Sequence, residues 1–266
     1  MAFFTTLIAQ TSDSRQDLID TPVVQACLRG QVSPESYRAL LQETYYLMRR
    51  TAAILRACRD DLKDRPVWLV TALDGYIGDQ QAAEDRILDD FIASGGDAHA
   101  LRLGAPGAAT TVLVACACDM VAQHRPMGVF GLVHVLETTS VALALAATDR
   151  IQQSLQWPDH AFTYLRSFGT ADRDRIAQCA MLMDEIVSAT DQQVIVESAR
   201  MFYRLYGDML RGLPAGHPAA AAAHSDCAPA PLWPSARDQI NALRSGVIGT
   251  AVSSWAPILM LPSGRS

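Results

Sequence analysis

An all-α bundle, one compact domain with a C-terminal extension, is what this sequence predicts. Three observations carry it. Apolar residues recur at three- and four-residue spacing almost throughout. Few long β-branched alternations occur. Serine, proline and glycine stand where helices start and stop. Half of the 266 residues are hydrophobic and 19% are charged, so the chain can bury a sizeable core.

The elements follow in order. A first helix is expected over about 15–29. Ser33-Pro34-Glu35 opens the next, with Ser33 as N-cap and Pro34 in the first turn, where its missing N–H costs nothing. That helix carries YRALLQETYYLMRRTAAILRAC. A third spans about 67–94 and is stopped by Gly95-Gly96. Pro106-Gly107 marks a turn before a helix at about 108–124. Pro126 opens an apolar helix to about 156. Pro158 starts a short one ending near Phe168, and helices at about 171–189 and 191–211 follow. The domain therefore covers 1–211.

Residues 212–234 read GLPAGHPAAAAAHSDCAPAPLWP, an Ala/Pro-rich composition expected of a linker. Residues 235–266 add a last helix and an apolar tail that could dock on the core or on a partner.

The formal net charge of -6, with no basic run, argues against a nucleic-acid partner. The six cysteines, at 27, 58, 116, 118, 179 and 227, show no zinc spacing. Free buried thiols in a reducing cytoplasm are expected. The N-terminus has no basic region ahead of a long apolar run, as a secretory signal would. Of the apolar runs, 127–148 contains His134 and Glu137, which are costly in a membrane, so no membrane span is expected.

Three motifs, weak singly but fairly specific in their order, stand out: YIGDQQAAEDRILDDFIASGG, RPMGVFGLVHVLETT and FGTADRDR. Together, over about 15–211, they resemble the haem-oxygenase-like di-iron oxidases, the iron-containing redox enzymes of that fold. LYGDML, further on, resembles the family too. The resemblance implies a haem-oxygenase-like (TenA-like) bundle of about seven to eight helices. It also implies metal ligands on three helices. At those positions this chain has Tyr76, Gln80 and Ala83 on one helix, Glu137 on another, and Phe168, Asp172 and Arg175 on the third. Glu137 and Asp172 remain as clear ligands, with Asp79 a third candidate if iron is retained.

Two carboxylates without histidine should not hold two irons tightly. Arg175 also brings a fixed positive charge to the metal's place. The expectation is that Arg175 replaces the metal's charge among Glu137, Asp172 and Asp79, and that no cofactor is needed. Iron held in a rearranged site is the alternative. The family's relatives include thiaminase-like, cofactor-free chemistry, so a metal-independent enzyme or binding protein for a small organic molecule is expected. A carboxylate on that molecule would meet Arg175.

His134, one turn before Glu137 in an H-x-x-E pair, is a candidate general base alongside Glu137, Asp172 and Arg175. A core histidine is the plainer reading. Tyr46, Tyr76, Gln80, Phe168 and Arg175 are candidate substrate contacts, although Tyr45, Tyr46, Tyr76 and Phe168 suit ordinary packing equally well. Asp172 also suits a helix N-terminus, and Arg175 an exposed face. Glu43 is left open between an inward and a solvated position. Glu84, Asp85, Asp89 and Asp90 fit a solvated face with Arg86. No haem is expected, because the first histidine is His99 and no axial ligand precedes it. A homodimer, or service as a non-catalytic partner of an active homologue, stays open.

Overall fold

A computed structural model describes residues 2–123, 125–167 and 172–214; the side chains at 141, 142, 145 and 172–175 are not described. The described residues form eleven α-helices and two short 3-10 turns. They are α1 (Phe3–Gln10), α2 (Ser12–Ile19), α3 (Pro22–Arg29), α4 (Pro34–Asp61), α5 (Val67–Ala93), α6 (Ala98–Leu103), α7 (Ala108–Ala122), α8 (Val129–Leu155), α9 (Thr163–Arg166), α10 (Asp172–Asp184) and α11 (Ala189–Arg211). The all-α expectation holds, with more and shorter helices than the seven to eight expected.

The differences have local causes. The single helix expected over 15–29 is two, because Pro22 has no N–H to continue it. Gly30 then ends α3 in the left-handed region, at φ 64. The stretch FFTTLIAQ makes an additional helix because Phe3, Phe4, Leu7 and Ile8 share one buried face. Asp97 makes α6 by accepting from His99 N and Ala100 N, at 2.8 and 3.1 Å. Ser33 caps α4 as expected, accepting from Ser36 N at 3.1 Å. The expected linker and C-terminal helix lie outside the described residues from 215 onward.

The short loop 62–66 folds α5 back along α4. α8 packs on α3 and α11, and α11 on α2 and α7. The core is one cluster drawn from nearly every helix. Where α8 crosses α11, Gly131 is indispensable: a Cβ there would lie 2.6 Å from Ala199 N and 2.9 Å from Ile195 O. These are backbone atoms and cannot swing aside. Gly131→Ala should force the two helices apart and cost about 1–3 kcal/mol, as overpacking does. Thermal denaturation checks it, and an unchanged midpoint would refute the crossing. Among the described residues no helix is long and apolar enough to cross a membrane.

Candidate functional site

A small cavity lies where α4, α5, α8 and α9 meet. Met48 closes it from α4. Asp79, Gln80, Ala83 and Arg86 come from α5, and Leu136, Glu137 and Ser140 from α8. Tyr164 and Ser167 close it from α9 and the residue that follows. The room inside is about 20 Å³, enough for one water-sized species.

The spacing on α5 explains its contribution. Asp79, Ala83 and Arg86 are related as i, i+4 and i+7 and share a face. Gln80 adjoins them and is buried, at 6% exposure. Its Oε1 accepts no hydrogen bond from the described residues. Glu137, at 4% exposure, faces it from α8. The cavity thus sets two carboxylates and an amide beside one guanidinium, that of Arg86 at the exposed edge.

Of the residues named from the sequence, the structure brings Asp79, Gln80 and Glu137 together. Three others it does not bring there. Tyr76 is half-buried and packs against the hydrophobic core. Tyr46 is buried, and its hydroxyl donates to Leu101 O at 2.8 Å, tying α4 to α6. Gly104 permits this, since a Cβ there would stand 2.3 Å from the Tyr46 hydroxyl.

His134 also points elsewhere. Its ring meets Phe4 of α1 edge-on at 5.8 Å and Tyr203 of α11 at 6.0 Å. Residues three apart on a helix differ by about 60° in direction. That offset is enough, at this position in α8, to send Glu137 toward α5 and His134 toward α11. Burial, then the positive charge of Arg15, push the imidazole down from 6.5 to about 3. Its Nδ1 has no hydrogen-bond partner among the described residues. His134 is therefore a neutral core residue, and it does not share the cavity as a general base would.

Phe168 lies outside the described residues. Asp172 and Arg175 stand on α10, which packs against α8 and α1, but their side chains are not described.

Sequence reasoning missed several residues. Arg86 is exposed, as a solvated face requires, but it also lines the cavity, and its i+7 relation to Asp79 is the signal for that second role. Tyr164 and Ser167 reach the cavity because Asp90 holds α9 in place. The Asp90 carboxylate is fully buried and accepts from Thr163 N, Thr163 Oγ1 and Tyr164 N, at 2.8, 2.6 and 2.8 Å. It is thus a helix cap and not a solvated acid. Glu43 does the same for α7, accepting from Gly107 N at 3.1 Å and from Thr110 Oγ1 at 2.5 Å.

Iron requires several carboxylates and imidazoles converging on each ion. Among the described residues, no three His, Cys, Asp or Glu side chains are placed to hold one metal ion. Asp79, Gln80 and Glu137 supply only oxygen donors, two of them carboxylate. By themselves they do not fit a di-iron centre.

The fold has solved counterparts. A domain of unknown function with a heme oxygenase-like fold from Shewanella denitrificans matches with a TM-score of 0.70 and 17% identity, covering 78% of this chain and 90% of its own. Heme oxygenase-2 from Synechocystis, in complex with heme and NO, matches with a TM-score of 0.63 and 17% identity, over 79% and 84%. A TenA homolog from Pseudomonas syringae matches with a TM-score of 0.66 and 12% identity, over 79% and 91%. At these identities the likeness is one of fold. Comparison with curated proteins gives no match. The family model described as iron-containing redox enzyme matches residues 38–207, which span α4 to α11 and the whole cavity. This chain belongs to the iron-containing redox enzyme family.

Proposed function

We propose that this chain is a metal-independent member of its family that uses the central cavity to bind a small, carboxylate-bearing organic molecule. The observation that carries the reading is the cavity's donor set. Asp79, Gln80 and Glu137 occupy it without an imidazole, and a cationic side chain, Arg86, stands at its edge. Arg175, on the adjacent α10, supplies the second positive charge. It balances Glu137 and Asp172, so that the buried carboxylates stay ionised without a metal. The room inside is about 20 Å³, so a ligand larger than water requires the cavity walls to move outward.

That small volume also favours a second reading, in which the cavity is filled by the protein's own side chains and the chain serves as a non-catalytic partner of an active homologue. An iron-dependent oxidase with a rebuilt site is the remaining alternative.

Two readouts on the full chain separate the three. Metal content is measured by mass spectrometry after anaerobic loading with ferrous iron and desalting, and the melting temperature is measured with and without millimolar succinate. No retained iron is expected, together with a rise in melting temperature that Arg175→Gln and Arg86→Gln each diminish. Near-stoichiometric iron, lost on Glu137→Ala, would establish the oxidase. Neither iron nor a thermal shift would leave the filled-cavity reading.

A further inference from the structure

α7 is apolar on every side. Its sequence AATTVLVACACDMVA has one charged residue, Asp119. Helices of that kind are normally covered all round. Here the inner face is buried through Thr110, Leu113 and Ala117, while Val112 is 49% exposed and Ala115 and Cys118 are exposed too. Between α7 and α4 runs an apolar groove of about 550 Å³, walled by Ala53, Ile54 and Ala57 on one side and Val114, Ala115 and Cys118 on the other. The small side chains leave space for an apolar segment to approach closely.

We infer that this groove is the docking site of the chain's own C-terminal segment 247–261. Three observations select that occupant. The segment, VIGTAVSSWAPILML, carries no charge, and the groove lining is apolar apart from Thr111 and the exposed Arg50. The described chain ends beside the groove's own helix, where Ser36 Oγ donates to Pro214 O at 2.7 Å. From Ser36 to Ala53 along α4 is about 26 Å at 1.5 Å per residue. The intervening stretch 215–246 is 32 residues long, enough to cover that distance even at the helical rise of about 1.5 Å per residue. A tether long enough to span the distance makes docking of the segment intramolecular, an advantage that a second molecule does not have. The site is separate from the central cavity, so the inference does not rest on the reading proposed for that cavity.

Cys118 lies in the groove and reports its cover. The full chain is pulsed with N-ethylmaleimide, and each cysteine is followed by peptide mass spectrometry. The comparison is with the full chain carrying Trp255→Ser, Ile258→Asp and Leu259→Asp. Cys118 should react at least tenfold faster in the variant. Buried Cys27 and Cys58 should stay unlabelled in both, which certifies that the variant is folded. Equal and rapid labelling of Cys118 would overturn the inference, because the groove would be open. Slow labelling that persists in the variant would overturn it too; if that protection weakened on dilution, the cover would be a second copy of the chain.

Discussion

Replacing Asp90 by alanine is expected to lower the stability of the fold by about 3 kcal/mol. The carboxylate is buried on α5 and accepts three hydrogen bonds from the first residues of α9. Removing it strands the N–H groups of Thr163 and Tyr164 away from water. A buried donor left unsatisfied costs about 1–3 kcal/mol. Relief from the desolvation of the carboxylate offsets part of the loss. A four-residue helix holds no stability of its own, since helix nucleation is unfavourable; α9 therefore depends on this cap. Asp90→Asn should be intermediate, because its amide oxygen still accepts while its NH2 faces a donor. Urea denaturation checks both. An Asp90→Ala midpoint equal to that of the parent would show that α9 is not held this way.

The dependence extends to function. α9 and the residue after it place Tyr164 and Ser167 in the cavity wall. Loss of the cap should therefore weaken any ligand response of the cavity as well as the fold, whereas Gly131→Ala, at the α8–α11 crossing, should affect chiefly the fold.

What the sequence could and could not reveal follows from the range of the interactions. Ser33-Pro34, Gly30 and the Pro-initiated start of α8 act on their nearest neighbours, so their spacing is visible in the chain. The three carboxylates that cap other helices act across long separations. Glu43 reaches α7 over 64 residues, Asp90 reaches α9 over 73, and Asp184 accepts from Phe4 N, at 2.8 Å, over 180. A lone acid on a helix looks the same whether it meets water or another helix's N-terminus. Periodicity still held a hint for Asp90: it shares a face with the buried Gln80 and Ile87, ten and three residues before it. The candidate site was readable where residues repeat on one face, as with Asp79, Ala83 and Arg86. At His134, where a 60° offset falls on the boundary between two packing partners, the plainer of the two sequence readings, a core histidine, is the one the structure gives.

Acidification should test that boundary. Folded His134 stays neutral down to about pH 3, whereas in the unfolded chain it protonates near 6.5. Between those values the unfolded state binds a proton that the folded state does not, so stability falls as pH falls. The slope approaches 1.4 kcal/mol per pH unit, or about 3 kcal/mol lost by pH 4. The geometry accounts for the size of the effect. An imidazolium must donate from both nitrogens, yet Nδ1 has no acceptor among the described residues, and Nε2 meets the Tyr203 hydroxyl at a long 3.5 Å. That hydroxyl is already engaged with Thr138 Oγ1 at 2.9 Å. Arg15, also buried, adds a second positive charge to the same region. Replacing His134 with phenylalanine keeps the edge-on contacts with Phe4 and Tyr203 and removes the titration. The variant should match the parent within about 1 kcal/mol at pH 7, as volume-conserving core swaps do, and exceed it increasingly from pH 6 to pH 4. Urea midpoints of the two proteins at several pH values give the difference directly, with the other titrating groups cancelling. If the two curves ran parallel, His134 would have to charge freely in the folded state. It would then need a proton acceptor and access to solvent, and its place would be in a working site and not in the core.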